Sequence, residues 1–388
     1  MSNTATITQT QIVAVDDTSI QVITVGTQGP EGGSEGENIP NNTFLGNVSG
    51  ASAPATALGV STQQLLLNQA QQLPHWRAAL GRVKAKTGNA RVLFIGDSTT
   101  MGYQSNGLTT GNMKPLSFPA QIAGFFTVNG IPANEQNFMG NGFASSSLAT
   151  AQWDSRISVG SGWANSGTTN DFVGGEVFTA AAATGNLAFT PTQAVDTFTV
   201  YYWGYTGSGT LSLDINGSGA TNHSTDTGNA GAIQAFTITG TLGTNTVNVK
   251  WVSGAVFVLG FEAYVSSKNY VSCVNAGWWG SASADWAAML SKVYVSNPIA
   301  PLAADLTVIA LGINDWNNAV SPSTFSTNLQ TLITAAKASG DVILVSDNIT
   351  ASGASSATQL TYDQAMLALA YSNHIPFIFQ GPGINLRL

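Results

Sequence analysis

The sequence predicts an α/β protein built on a five-stranded parallel sheet with helices on both faces. An all-β module is inserted into it and a β-rich N-terminal segment precedes it. Three observations lead there. Apolar runs of strand length alternate with helix-like stretches up to about residue 140 and again from about residue 270. Between residues 141 and 269, short β-rich runs recur roughly every ten residues, with Gly, Asn, Thr and Asp between them. Residues 1–60 hold a Thr- and Val-rich hairpin and then regularly spaced glycines. The expected domains are therefore 1–60, a split α/β domain at 61–140 and 270–388, and a jelly-roll-like β-sandwich at 141–269, a fold shared by carbohydrate-binding modules and purely structural domains.

Composition narrows the function classes. A chain of 388 residues has room for two or three cores. Charged residues make up only 8% of it, against about a quarter in ordinary globular proteins, and small neutral polar residues take their place. A net charge of -8 with no basic run excludes a nucleic-acid partner, because nothing would neutralise a row of phosphates. Cys273 is the single cysteine, so no intrachain disulfide forms and a Cys-based metal site is not expected. It reads as a small core residue in a strand. The first residues lack the basic start and apolar segment of a secretory signal, and no apolar run reaches bilayer length. Synthesis in a cytoplasm without membrane insertion is expected.

In chain order, Ile7 to Val15 and Ile20 to Val25 form a hairpin about the turn residues Asp16, Asp17 and Thr18. Gly26, Gly29 and Gly32 follow as a short collagen-like stretch, too brief to hold a triple helix alone and equally suited to a flexible linker. Ser61-Thr62-Gln63-Gln64 is a capping box that opens a helix through Leu65, Leu66 and Leu67. Pro74 starts a second helix through Trp76, Ala79, Leu80 and Val83. Val92 to Ile95 is a buried strand, and Ser117 to Phe126 is the helix that returns the chain. After the insert come strands at Val271 to Asn275, Asp305 to Leu311, Val342 to Ser346 and Ile375 to Phe379. Helices at Ala284 to Val293, Pro322 to Lys337 and Gln359 to Tyr371 separate them.

The stretch Arg91 to Thr100 carries the functional signal. Its apolar run stops at Gly96-Asp97-Ser98, so Ser98 stands at a strand's carboxyl end, the edge where open α/β sheets bind ligands. These residues resemble the first block of the GDSL or SGNH hydrolases, serine esterases with a flavodoxin-like three-layer sheet. Asn275-Ala276-Gly277-Trp278-Trp279-Gly280 resembles the second block, and Gly312-Ile313-Asn314-Asp315 matches the third. The resemblance implies a catalytic set of Ser98, Gly280 and Asn314. Ser98 is the nucleophile, and its own N–H, the Gly280 N–H and the Asn314 side chain hold the oxyanion. Gly277 is the alternative to Gly280. Such donors around one hydroxyl are worth several kcal/mol to a tetrahedral intermediate. No metal or cofactor is called for.

A serine nucleophile also needs a base. The family's Asp-x-x-His block is absent, since His75, His223 and His374 are preceded at minus three by Gln72, Ala220 and Tyr371. His75 and His374 precede strands and belong at the amino edge. At about 3.3 Å per residue, the last strand separates His374 from Ser98 by roughly 15 Å. His223 falls in the insert, on a solvated turn. Asp347 ends the fourth strand on the correct edge but is a feeble base near its ordinary pKa. A truncated chain, a base from a neighbouring subunit and a catalytically dead site each account for the gap.

Trp278, Trp279, Trp316 and Tyr103 cluster in the loops at the same edge, and at least one of these rings is expected to bind sugar, with Asn317 and Asn318 meeting hydroxyls. The hairpin, the Gly-Pro-Glu-Gly stretch and Asn42-Thr43-Phe44-Leu45-Gly46-Asn47 with Ala57-Leu58 resemble the attachment end of phage tail fibre and tail spike proteins. That resemblance implies a homotrimer in the virion tail, joined to other tail proteins through its N-terminus and meeting a host cell-surface glycan. Two readings follow: an esterase that deacetylates surface polysaccharide, or a non-catalytic receptor-binding protein on a degenerate SGNH fold.

Overall fold

The structure, a computed structural model, describes residues 15–16, 19–20, 44–46, 56–58, 73–103, 105, 112–140, 154–166, 172–291, 298–346 and 356–379. The chain divides into two compact units, Met1–Gln63 and Gln64–Leu388. In the first, Val15–Asp16 pairs antiparallel with Ser19–Ile20, and Phe44–Gly46 with Thr56–Leu58. The glycine-spaced stretch and the capping-box helix lie outside the described residues.

The second unit is organised by a parallel sheet. Its strands are β1 (Ala90–Gly96), β2 (Ala133–Asn134), β3 (Val271–Asn275), β4 (Leu306–Ala310), β5 (Asp341–Val345) and β6 (Phe377–Ile378), in the spatial order β6-β5-β4-β1-β3-β2. Every pairing is parallel. Five strands match the expected ones, and the two-residue β2 is an addition at the edge beside β3. The helices are α1 (Pro74–Lys84), α2 (Ser98–Met101), α3 (Phe118–Val128), α4 (Ser283–Ser291), α5 (Ile313–Asn317), α6 (Pro322–Lys337) and α7 (Ser356–Asn373). They cover two faces because β1 alternates sides. Leu93 and Ile95 join a core with Trp286, Leu329 and Met366, whereas Val92 and Phe94 join another with Trp76, Val83 and Ala123.

The insert is two antiparallel sheets. One has the order 232–243, 195–204, 256–264, 178–180, 164–165, and the other 218–224, 210–215, 247–253, 187–189, 157–159. Phe178, Phe189, Phe198, Leu213, Val249 and Phe261 fill the space between them. Asn137–Met139, just ahead of residue 141, also pairs with Val256–Tyr264.

The sandwich has its own core and also shares one with the sheet. The outer face of its first sheet carries Tyr201, Ile233 and Leu259 into the same core as Leu93 and Val274. Val195–Gly204 is consequently buried on both faces. Polar links add to the join. Arg91 of β1 pairs with Glu262 of the insert, which also accepts from the Tyr201 hydroxyl at 3.0 Å and from the Ser272 hydroxyl.

Candidate functional site

The site assembles where β3, β1 and β4 end side by side. Pairing sets Asn275 beside Phe94 and Ala310 beside Gly96, so the loops leaving the three strands rise together. Beyond Gly96, Asp97 caps α2 by accepting the Thr99 N–H at 2.7 Å, and Ser98 is the first helical residue, partly exposed. A first-turn N–H has no intrahelical acceptor, and that of Ser98 meets no other described residue.

Hydrogen bonds bring the other two expected residues to the same edge. The Trp278 N–H donates to Gly96 O at 2.9 Å, which brings the β3 loop against the end of β1. Gly280 lies two residues on, exposed, with φ +72° and open space around its Cα. The Asn314 amide then donates to Ser281 O at 2.8 Å, tying α5 to the residue next to Gly280. A primary amide has two N–H groups. The second Asn314 N–H and the Gly280 N–H are not taken up by described residues. Ser98, Gly280 and Asn314 thus share one edge with unspent donors.

The alternative, Gly277, is occupied with holding the site together. Its N–H donates to Asn275 Oδ1 at 2.9 Å, and a Cβ there would lie 2.2 Å from Met101 N. It is the point at which the β3 loop presses on α2. Asn275 completes the brace by donating to Thr100 O at 3.0 Å and to the Ser117 hydroxyl at 2.9 Å. Asp315 accepts both the N–H and the hydroxyl of Ser283, at 2.9 and 2.6 Å, and so fastens α4 to the Asn314 loop. The sequence offered one signal for Asn275, a glycine two residues after an asparagine, which is Asx-turn spacing. Nothing local pointed to Asp315 as a fastener.

Burial dominates the electrostatics. Asp97 is fully buried, and its carboxyl is pushed up to about 6, first by loss of water and then by the nearby Asp315. Its Oδ2 has no hydrogen-bond partner. Burial likewise raises the Asp315 carboxyl. Cys273 lies buried in β3, its thiol pushed up to about 12 by burial.

No histidine stands at this edge. His75 is exposed on α1, and His374 is exposed with φ +53° between α7 and β6, at the amino edge. His223 is not on a turn. It lies in the strand Ser218–Ser224, its Nε2 is 2.9 Å from the Thr221 hydroxyl, and its ring packs on Phe236. Asp347 lies outside the described residues.

The aromatic expectation divides. Trp278 is 2% exposed, with its ring 5.8 Å from Trp286, and Trp316 is 8% exposed in the same core. Neither offers a face to a sugar, because each points down onto the sheet. Trp279 and Tyr103 are half-buried, their rings 6.5 Å apart above Met101 and Met113. Trp279 packs on Met101 and Met113, whereas its neighbour Trp278 is buried against Trp286 in the main core.

No family's sequence profile matches the chain, and no curated protein does. Solved structures do share its fold. A peptidoglycan O-acetylesterase aligns over 80% of this chain and 84% of its own length, with a TM-score of 0.58 at 13% identity. That likeness is one of fold, an α/β domain with a parallel sheet that carries a β-rich insert. TesA aligns over 28% of this chain and 57% of its own, at 24% identity and a TM-score of 0.24. A family two carbohydrate esterase from Cellvibrio japonicus aligns over 58% and 85%, at 11% identity and 0.22.

Proposed function

We propose that the α/β domain is a serine esterase site for O-acetyl groups on polysaccharide, borne by a phage tail fibre or tail spike protein. In this reading the Ser98 hydroxyl attacks the acetyl carbonyl. The N–H groups of Ser98 and Gly280 and the free N–H of Asn314 hold the oxyanion. Collapse of the tetrahedral intermediate releases the sugar hydroxyl and leaves an acetyl ester on Ser98, which water then hydrolyses.

The observation that carries the reading is the set of unspent donors on the same sheet edge as a partly exposed Ser98. The shared fold with a peptidoglycan O-acetylesterase supports it. The virion setting, the trimer and the host glycan rest on the N-terminal resemblance alone. The test is hydrolysis of a chromogenic acetyl ester by the purified chain. Turnover abolished by Ser98→Ala supports the reading, and turnover that survives the substitution overturns it.

A second reading is favoured by the three histidines, none of which is hydrogen-bonded to Ser98. The described residues supply no imidazole to receive its proton. The same cleft then holds glycan without cleaving it, as a receptor-binding surface. Glycan retention with no acetate release, unchanged by Ser98→Ala, selects this reading.

A further inference from the structure

The insert contributes a second group of rings. Trp203 stacks on Tyr205 at 4.5 Å and meets Phe257 and Phe172 edge-on at 5.1 and 5.7 Å. Trp203, Tyr205 and Phe257 are half-buried.

Register fixes their height. Asn134 pairs with Ser272, and Asn137 bonds Cys273 O and the Asn275 N–H, so this segment climbs alongside β3. Met139, two residues further, pairs with Gly260. Phe257 lies three residues beyond Gly260 in the same direction, and Trp203 is its partner in the pairing. At 3.3 Å per residue, the rings stand about 10 Å above the strand ends, on the side where Ser98 emerges.

The group is also continuous with the site. Gly175 donates to Phe172 O at 3.0 Å, and its backbone packs on the Trp278 ring. Trp278 in turn donates to Gly96 O.

Polar groups suited to hydroxyls flank Tyr205. The Thr206 N–H and hydroxyl both donate to Asn229 O at 2.9 Å. Asn229 Oδ1 accepts from Thr227 and Gly231, which leaves its amide N–H groups for a ligand. Asp226 accepts the Gly228 N–H through one oxygen and is exposed. Ring faces bounded by an amide and a carboxylate are the chemistry of sugar recognition, in which C–H faces stack and hydroxyls bond.

We propose that Trp203, Tyr205 and Asn229 form a carbohydrate subsite that holds a glycan chain leading to Ser98. The destination of the chain rests on the esterase reading, and the subsite itself does not. The experiment is calorimetric titration of the full chain with O-acetylated chitotetraose and with its de-O-acetylated form, alongside turnover of 4-nitrophenyl acetate.

Tyr205→Ala is expected to weaken tetrasaccharide binding about tenfold and the surface variant Asn229→Ala by several-fold. Ser98→Ala should leave binding unchanged, and turnover of the small ester should not respond to Tyr205→Ala. Wild-type affinity in Asn229→Ala and in folded Tyr205→Ala overturns the subsite, as does a wild-type chain that binds neither tetrasaccharide. If binding falls in the variants while the wild type shows no ester turnover, the subsite stands and the esterase reading falls.

Discussion

Gly277→Ala tests the geometry directly, because the contact it disturbs is backbone on backbone. The added methyl would sit 2.2 Å from Met101 N, 2.6 Å from Met101 Cα and 2.7 Å from Thr100 C. Ordinary contact needs about 3.4 Å or more, so α2 and the β3 loop must part by roughly an ångström, and α2 begins with Ser98. Overpacking of this kind costs about 1–3 kcal/mol. The matching displacement of a nucleophile costs about 100-fold in rate. Gly280→Ala is the control. There the methyl meets open space, and the cost is the left-handed backbone alone, about 1–2 kcal/mol, with the N–H retained. Thermal unfolding and labelling of Ser98 by a fluorophosphonate probe read both effects. Loss of labelling in Gly277→Ala, with most of it kept in Gly280→Ala, is expected. Wild-type labelling and melting in Gly277→Ala would refute the brace.

Asn314→Ala should lower kcat on an acetyl ester by about 10²–10³-fold with little change in KM, because it removes a proposed oxyanion donor; steady-state kinetics check this, and an unchanged kcat sinks the assignment. Asp97 should make stability fall as pH rises. A carboxyl whose folded pKa of about 6 exceeds its ordinary 3.8 holds its proton more tightly in the fold. Its contribution is therefore complete below pH about 4 and is lost, by about 3 kcal/mol, as pH climbs through about 6. Asp97→Asn keeps the cap and should flatten that slope in urea titrations; Asp363, also pushed up to about 6 by burial, leaves a residual one. Glu262→Ala strips Arg91 of its carboxylate at the join of insert and sheet. It should cost about 3 kcal/mol by urea unfolding, and a loss under 1 kcal/mol would contradict the role given to this pair.

The parallel sheet was legible because its strands are short apolar runs with helices between them, and α6 spans the expected Pro322–Lys337 residue for residue. The blocks around Ser98, Gly280 and Asn314 were legible because each follows a strand. What local sequence does not carry is the side of a loop on which a ring falls. Trp278 and Trp279 look equivalent in sequence, yet one is core and the other is half-buried beside Tyr103. Residues 195–204 hide a similar lesson. The run Phe198 to Trp203 lacks clean alternation, which is the mark of a strand buried on both faces, and the reason is that its outer face rests on the α/β core.

That shared core alters what the insert can do for the site. A sandwich on a linker would add affinity only by raising local concentration, and its orientation would be free. Here Tyr201 and Leu259 are buried in the same core as Ile95, one residue before Gly96, while Arg91 and Glu262 fix the opposite end of the join. In the proposed reading the insert is therefore a wall of the cleft, with its rings placed by packing against the sheet. Loosening the join without touching the cleft separates the two cases. Glu262→Ala should weaken glycan binding if alignment of wall and cleft contributes to it. A tethered module would bind as before.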